Sequence, residues 1–160
     1  MWVKGQKGQA PIDPNHATEP YTSVRAKALR QRETTPPGQT HSDMKIIYEF
    51  WSHFLVRNFN PSMYEEFRQF AAEDAFQRQT MVGMDNLITY YDEVLNSKKK
   101  TIPERIAQHY IEVIKTEATS QDRPAFAKLR ASWRNGALDL KSRKRIDKLV
   151  DAELRKELES

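Results

Sequence analysis

The stretch FWSHFLVRNFNPSMYEEFRQFAAEDA, residues 50–75, joins two aromatic-rich runs through Asn60-Pro61. Its apolar side chains recur every three or four residues, which is the spacing of one face of an α-helix. Proline disfavours helical geometry in the residue before it, so Asn60-Pro61 is expected to end the first helix. Ser62 followed by Glu65 matches a capping box, which predicts the start of a second helix. The stretch therefore predicts a helical hairpin.

The same hairpin pattern recurs along the chain. Trp51, Tyr91 and Trp133 lie 40 and 42 residues apart, and each is near the end of a first helix. The tripeptides EDA, TEA and VDA close the second helices at 73–75, 116–118 and 150–152. Helix pairs with a period near 40 residues are typical of HEAT-type solenoids. We therefore expect an all-α fold, an α-solenoid of three HEAT-like helix-turn-helix repeats at about 43–80, 83–119 and 122–158.

Further signals predict where the remaining helices begin and end. Gly83 predicts a break before the third helix. Thr101 with Glu104 predicts a capping box before the fourth. Pro124 opens the fifth helix, and Gly136 follows its end. Residues 141–158 are expected to form a single sixth helix.

Residues 1–42 differ from the rest of the chain in composition. They contain five of the eight prolines and three of the five glycines, and most of them show no apolar periodicity. Such a segment cannot bury a core, which predicts an extended N-terminal arm. Within it, residues 21–33 could form a short basic helix that carries Arg25, Lys27, Arg30 and Arg32.

Charge is distributed unevenly along the chain. Residues 1–42 carry six basic and three acidic side chains, residues 43–97 carry four and nine, and residues 98–160 carry sixteen and ten. A polyanion is therefore expected to contact the arm or the C-terminal third. Lysines and arginines that only solvate helix surfaces would give the same distribution, so both interpretations stay open.

Two basic runs and one aromatic ring stand out as candidates for contact with RNA. The runs are KKK at 98–100 and KSRKRIDK at 141–148. Tyr90 is offset from the inward-facing Tyr91 and could expose a ring for base stacking, although packing against a neighbouring helix is the alternative. The candidate RNA-binding residues are Arg25, Lys27, Arg30, Arg32, Tyr90, Lys98, Lys99, Lys100, Lys141, Arg143, Lys144 and Arg145.

Several classes of function lack the residues they need. The chain has no cysteine, which excludes disulfides and thiolate sites and makes the reducing cytoplasm the default compartment. It has no apolar run long enough for a membrane span and no Gly-rich phosphate loop. Its four histidines have no metal-ligand spacing, and the adjacent acid pairs of 65–66 and 73–74 point about 100° apart on a helix. We therefore predict no enzyme, cofactor, metal or membrane partner.

Residues 50–75 also resemble the first repeat of the C-terminal HEAT-like region of the La-related protein 1 family. The matching segments are FWS (50–52), FL (54–55), MYEEFR (63–68) and EDA (73–75), and residues 25–44 look like that family's lead-in. The resemblance is strong over about 21–97 and continues to about 155 by repeat pattern alone. It implies a module of three helix-turn-helix repeats that binds the 5′ cap and first nucleotides of mRNA and controls translation. Aromatic rings around the methylated guanine, an acid on its edge and arginines near the phosphates would form that site.

The chain departs from the family at these cap-site positions. Where the family has arginine, phenylalanine and arginine on the first helix, this chain has Glu49, His53 and Val56. On the third helix, the family's arginine, tyrosine and glutamate correspond to Thr89, Glu93 and Asn96 of this chain. The family's partner tyrosine from the last repeat falls near Leu138. The residues that match are mainly packing and capping positions. The resemblance therefore predicts the family's fold without its cap recognition.

Two hypotheses for the function remain. The first is an RNA-binding module linked to mRNA translation control, which contacts mRNA or ribosomal RNA through basic surfaces and does not recognise the 5′ cap specifically. The second is a HEAT-like protein-interaction scaffold that docks on a ribonucleoprotein such as the ribosome. Both place the protein in the cytoplasm.

Overall fold

The computed structural model describes residues 20–160, and within them it contains eight α-helices and no β-strand. The first nineteen residues of the expected arm lie outside the described residues. The prediction of an all-α fold is confirmed. The helices are α1 (Tyr21–Thr34), α2 (Ser42–Arg57), α3 (Pro61–Gln77), α4 (Val82–Leu95), α5 (Glu104–Thr116), α6 (Pro124–Asn135), α7 (Leu140–Leu149) and α8 (Ala152–Glu159).

The chain divides into two compact units, of which the first ends at Leu87 and the second runs from Ile88 to Ser160. In the first unit, α2 presents its apolar stripe to α3. Trp51 and Phe67 are fully buried, with their ring centroids 5.4 Å apart. Large aromatic side chains bury the most apolar area, so this pair dominates the core of the hairpin.

Helix α1 is part of the first unit's packing. It lies against α2, and its Ala28 is fully buried. The indole Nε1 of Trp51 donates a hydrogen bond of 2.8 Å to the hydroxyl of Tyr21. The basic helix expected at about 21–33 therefore covers the hairpin of α2 and α3 with one face.

The start of α3 differs from the expected capping box. Asn60 is the N-cap, and its side-chain oxygen accepts a 3.0 Å hydrogen bond from the backbone N–H of Met63. Pro61 occupies the first helical position, where its missing N–H costs nothing. The prediction that Ser62 and Glu65 form the cap is wrong. The N-cap is Asn60, two residues before Ser62, and the helix begins at Pro61.

Gly83 does not break the chain before α4 but lies within its first turn. A Cβ atom built at Gly83 would lie 2.5 Å from the ring of Tyr48. The missing side chain therefore allows α4 to approach α2 closely. Here the glycine is required by packing rather than by a turn.

The capping box expected before α5 is also absent. Pro103 is the N-cap of α5 and makes no side-chain capping bond. The hydroxyl of Thr101 donates instead to a carboxylate oxygen of Asp139, 3.3 Å away. The capping box predicted from Thr101 and Glu104 does not form, because the hydroxyl of Thr101 is hydrogen-bonded to Asp139, 38 positions later in the chain.

The single helix expected over 141–158 is two helices, α7 and α8. Val150 between them is extended, with ψ of 125°. Asp151 caps α8 by accepting a 2.8 Å hydrogen bond from the N–H of Leu154. Helix α7 packs on α5, whereas α8 packs on α6. The break lets the two halves bury their apolar faces, including Ile146 and Leu158, against different helices.

Candidate nucleic-acid interface

The arginines of α1 are paired with acids of α3. Arg25 donates to Glu66 through both its Nε, at 2.7 Å, and an Nη. Arg32 donates to Glu73 at 2.7 Å and to Asp74 at 2.8 Å. Burial works against the charge of Arg32, but these two carboxylates more than offset it and raise its pKa. Arg25 and Arg32 therefore have their charges balanced within the first unit.

Asp74 is the centre of this network. Its carboxylate is 2% exposed and accepts a 2.5 Å hydrogen bond from the hydroxyl of Tyr48 in addition to the bond from Arg32. The guanidinium of Arg78 lies 3.6 Å away and donates to the backbone oxygens of Arg32 and Thr35 at the end of α1. Buried charges persist when they are paired and hydrogen-bonded in this way. The EDA tripeptide is therefore a structural feature.

The other two cations of α1 differ in their surroundings. Lys27 is half-buried and engaged in interactions of its own. Arg30 is exposed. Of the four residues predicted on this helix, Arg30 has the exposure that a phosphate contact requires.

Tyr90 does not expose a ring. Its side chain is 1% exposed, and its ring centroid lies 5.8 Å from that of Tyr91. Burial raises the pKa of its hydroxyl. The prediction of an exposed stacking ring is wrong because α4 is buried around most of its circumference, with Ile88 and Val94 also in the interior.

The positions that correspond to the family's cap site carry no Phe, Tyr or Trp ring and no arginine. On α2, Glu49 and His53 are exposed and Val56 is half-buried. They share one face, since they are spaced four and three residues apart. An exposed carboxylate at Glu49 repels phosphate at the position where the family has a cation.

The corresponding positions on α4 and just after its end have the same spacing. Thr89 and Glu93 are half-buried, and Asn96 is exposed. The side-chain nitrogen of Asn96 donates to the hydroxyl of Ser132 at 2.9 Å. Leu138, near the position of the partner tyrosine, is 7% exposed. These side chains offer no ring on which a methylated guanine could stack.

The two basic runs predicted separately lie side by side in the second unit. Lys98 donates to the backbone oxygen of Ala137, and Thr101 donates to Asp139. The N–H of Ile102 donates to the hydroxyl of Ser142 at 2.9 Å, while Arg145 donates to the oxygen of Ile102 at 2.8 Å. These hydrogen bonds therefore hold the loop that carries Lys98–Lys100 against the start of α7 and the residues just before it.

Helix α7 contributes a row of cations next to that loop. Lys141, Lys144 and Lys148 are exposed and are spaced three and four residues apart, so they share one face. Ser142 and Ile146 on the opposite face are fully buried. We call the combined feature the basic surface, and its exposed cations are Lys98, Lys99, Lys100, Lys141, Lys144, Arg145 and Lys148.

Arg143 has a different role from its neighbours. Its guanidinium carbon lies 4.0 Å from the centroid of the Trp133 ring, and its Nη1 donates to the backbone oxygen of Trp133 at 2.8 Å. This cation–π contact and hydrogen bond hold α7 against α6. No pattern in the sequence distinguishes Arg143 from Lys144 or Arg145, because the difference depends on which helix each side chain faces.

Other kinds of site find no support in the part of the chain that the structure describes. Residues 20–160 bring together no group of three or more His, Asp or Glu side chains able to hold a metal ion. None of their helices has the length and apolar character that crossing a bilayer would need.

A protein-family model described as the LARP1 HEAT repeat region matches residues 12–154. The match covers most of the chain and includes both units. It agrees with the resemblance carried by residues 50–75, which is thereby confirmed. The helical-repeat class inferred from the spacing of Trp51, Tyr91 and Trp133 has the same support.

Proposed function

The chain belongs to the LARP1 HEAT repeat family, and from that premise we propose that it is a non-catalytic RNA-binding module linked to mRNA translation that does not recognise the 5′ cap. The family suggests a role related to RNA and translation. The partner is then mRNA or ribosomal RNA, and the compartment is the cytoplasm.

The observation that carries the proposal is the joining of two basic runs in one surface. Residues 98–100 and 139–148 hold eight lysines and arginines against two carboxylates. One of those carboxylates, Asp139, is engaged by Thr101 and by the N–H of Ser142. Clustered lysines on a fixed scaffold attract phosphates and release the counterions around RNA, which is the main source of sequence-independent affinity.

The absence of cap recognition is supported by the six corresponding positions on α2 and α4. Cap binding of the family type needs stacking rings and cations near the phosphates, and these positions supply no Phe, Tyr, Trp, Arg or Lys side chain. A single replacement would weaken such a site, whereas replacing the rings and the arginines together removes its main sources of affinity.

A charge-reversal experiment tests the RNA-binding proposal. Replacing Lys141, Lys144 and Lys148 by Glu should weaken binding of a fluorescent RNA by at least about tenfold and reduce the dependence of affinity on salt, since phosphate contacts are lost. The matched control reverses Lys115, Lys128 and Lys156, which are exposed on α5, α6 and α8 and change the net charge equally. The control should bind RNA within about threefold of the parent, because it removes no phosphate contact. Equal losses in both variants, or no loss in the first, would contradict the proposal.

A protein-interaction scaffold is the second candidate, and exposed apolar side chains of the first unit favour it. Phe76 is 66% exposed, and Ile46, Phe59 and Met81 are each nearly half exposed. Exposed large apolar groups are common at protein-binding surfaces. Cosedimentation with ribosomes that survives reversal of the three α7 lysines but is lost with Phe76→Ser would support this alternative.

A further inference from the structure

We propose that the ligand of the basic surface is base-paired RNA, recognised through its sugar–phosphate backbone, rather than an unpaired strand. This inference rests on the proposed RNA binding and specifies the class of RNA. It concerns the second unit alone, where three features of the described side chains support it.

The first feature is that the second unit exposes no aromatic ring among its described residues 88–160. Tyr90, Tyr91, Tyr110 and Trp133 are buried. Phe126 is half-buried, and the guanidinium of Arg123 lies 4.0 Å from its ring centroid. Proteins that hold single strands gain much of their affinity from bases stacked on exposed rings. The basic surface cannot supply that contribution.

The second feature is the state of the arginines. Reading a base edge needs a free guanidinium that can make two parallel hydrogen bonds. Arg143 is stacked on Trp133 and bonded to its backbone oxygen, and Arg145 is bonded to the oxygen of Ile102. The remaining cations of the surface are lysines, which act as point charges on phosphates. The surface is therefore suited to the backbone and not to base sequence.

The third feature is rigidity. Lys141 and Lys148 are seven residues apart on one helix face, which places their backbones about 10 Å apart along the axis. The adjoining loop is held against α7 and the residues just before it by hydrogen bonds from Lys98, Thr101, Ile102 and Arg145. A row of lysines on a rigid backbone matches phosphates that a duplex already holds in place. An unpaired strand would first lose conformational freedom, with no stacking to offset that loss.

Base-paired RNA also presents its backbone in a suitable form. Its major groove is deep and narrow, so side chains seldom read its bases, and proteins recognise it through phosphates and 2′-hydroxyls. The expected binding is therefore insensitive to sequence and steeply dependent on salt.

The test compares two uncapped fluorescent RNAs with the same number of phosphates. One is a duplex of about 16 base pairs, a length typical of double-stranded RNA-binding domains, and the other is an unstructured single strand of twice that length. Anisotropy titrations between about 50 and 200 mM salt should show the duplex bound about tenfold more tightly. A second duplex of scrambled sequence should bind within about twofold of the first, since no base is read.

Charge-reversal variants test whether the preference for duplex RNA depends on the lysines of α7. Lys141→Glu with Lys144→Glu and Lys148→Glu should remove the preference for duplex, whereas reversal of Lys115, Lys128 and Lys156 should retain it. Binding of the single strand as tightly as the duplex, or a preference that survives the α7 reversal, would overturn the inference while leaving RNA binding in place. Failure of the parent protein to bind either RNA would instead overturn the proposed function, and the inference with it.

Discussion

At the scale of single residues, the start of α3 depends on the side chain of Asn60, which accepts a hydrogen bond from the backbone N–H of Met63. Ser62 and Glu65 have the spacing of a capping box, but Asn60 is the N-cap of α3. Pro61 opens α3, because proline is tolerated at the first helical position, whereas α2 already ends at Arg57. The two assignments predict different consequences for substitutions.

Asn60→Ala should lower the free energy of unfolding by about 1 kcal/mol, because the N–H of Met63 loses its partner at the start of α3. Ser62→Ala, the control, should change it by less than about 0.5 kcal/mol, since Ser62 is exposed. Urea unfolding followed by circular dichroism measures both. A larger loss of unfolding free energy for Ser62→Ala than for Asn60→Ala would instead support Ser62 as the capping residue.

The burial of individual residues could be predicted wherever it followed helical periodicity. Trp51, Tyr91 and Trp133 were expected inside and are all buried. Periodicity failed at Tyr90, because a helix packed on several sides buries more than one stripe. Ile46 is the opposite case, since it is a large apolar residue of α2 and is 48% exposed.

At the scale of elements, α1 is held on the first unit by ion pairs between residues about forty positions apart. Arg25 pairs with Glu66, and Arg32 pairs with Glu73 and Asp74. The sequence predicted the helix but could not show that two of its arginines meet acids of α3. Composition alone therefore overestimated the charge that α1 offers to RNA.

The two acids that share Arg32 should differ greatly in their contribution to stability. Asp74→Ala leaves a largely buried guanidinium and the hydroxyl of Tyr48 without that carboxylate, which should cost about 3–5 kcal/mol. Glu73→Ala removes a partner of Arg32 whose side chain is 39% exposed, which should cost at most about 1 kcal/mol. The two variants change the net charge equally, so urea titrations compare them directly. Similar losses of unfolding free energy in both variants would show that the burial of Asp74 does not determine its contribution to stability.

The same scale explains why the basic surface was predicted only in pieces. Lys98–Lys100 and Lys141–Arg145 are visible as charge runs, but their contact depends on Thr101, Asp139 and Ser142. These are ordinary polar residues with no distinctive spacing. The break at Val150, which lets α7 pack on α5, was also hidden because the apolar pattern continues across it.

At the scale of the whole molecule, buried tyrosines couple stability to alkaline pH. Burial raises the pKa of Tyr48, Tyr90 and Tyr110 above the ordinary value of 10.0, and the carboxylates of Asp74 near Tyr48 and Asp92 near Tyr110 add to it. The folded state thus keeps protons that the unfolded chain releases above pH 10.0. The stability that this linkage supplies is present in full below that pH and is lost progressively as pH rises above it.

Alkaline titration should therefore show tyrosinate absorbance from these three residues only as the helices unfold. Parallel measurements of tyrosinate absorbance and far-ultraviolet circular dichroism provide the comparison. Ionisation of all six tyrosines while the helical signal remains intact would contradict the burial of Tyr48, Tyr90 and Tyr110.

The fold and the family could be predicted for most of the chain, because repeated apolar spacing and the segments FWS, MYEEFR and EDA specify packing. Function is less closely tied to those residues. The proposed function depends on the residues at 49, 53 and 56, on those at 89, 93 and 96, and on how the basic runs meet in three dimensions. The same helices can therefore carry a different binding activity.

The most direct test of the central claim, that RNA is bound without recognition of the cap, compares one oligopyrimidine RNA with and without a 5′ methylguanosine cap. Fluorescence anisotropy under identical salt conditions should give affinities within about twofold of each other, because the cap-site positions supply no Phe, Tyr or Trp ring and no arginine. A preference of about tenfold or more for the capped RNA would contradict the account.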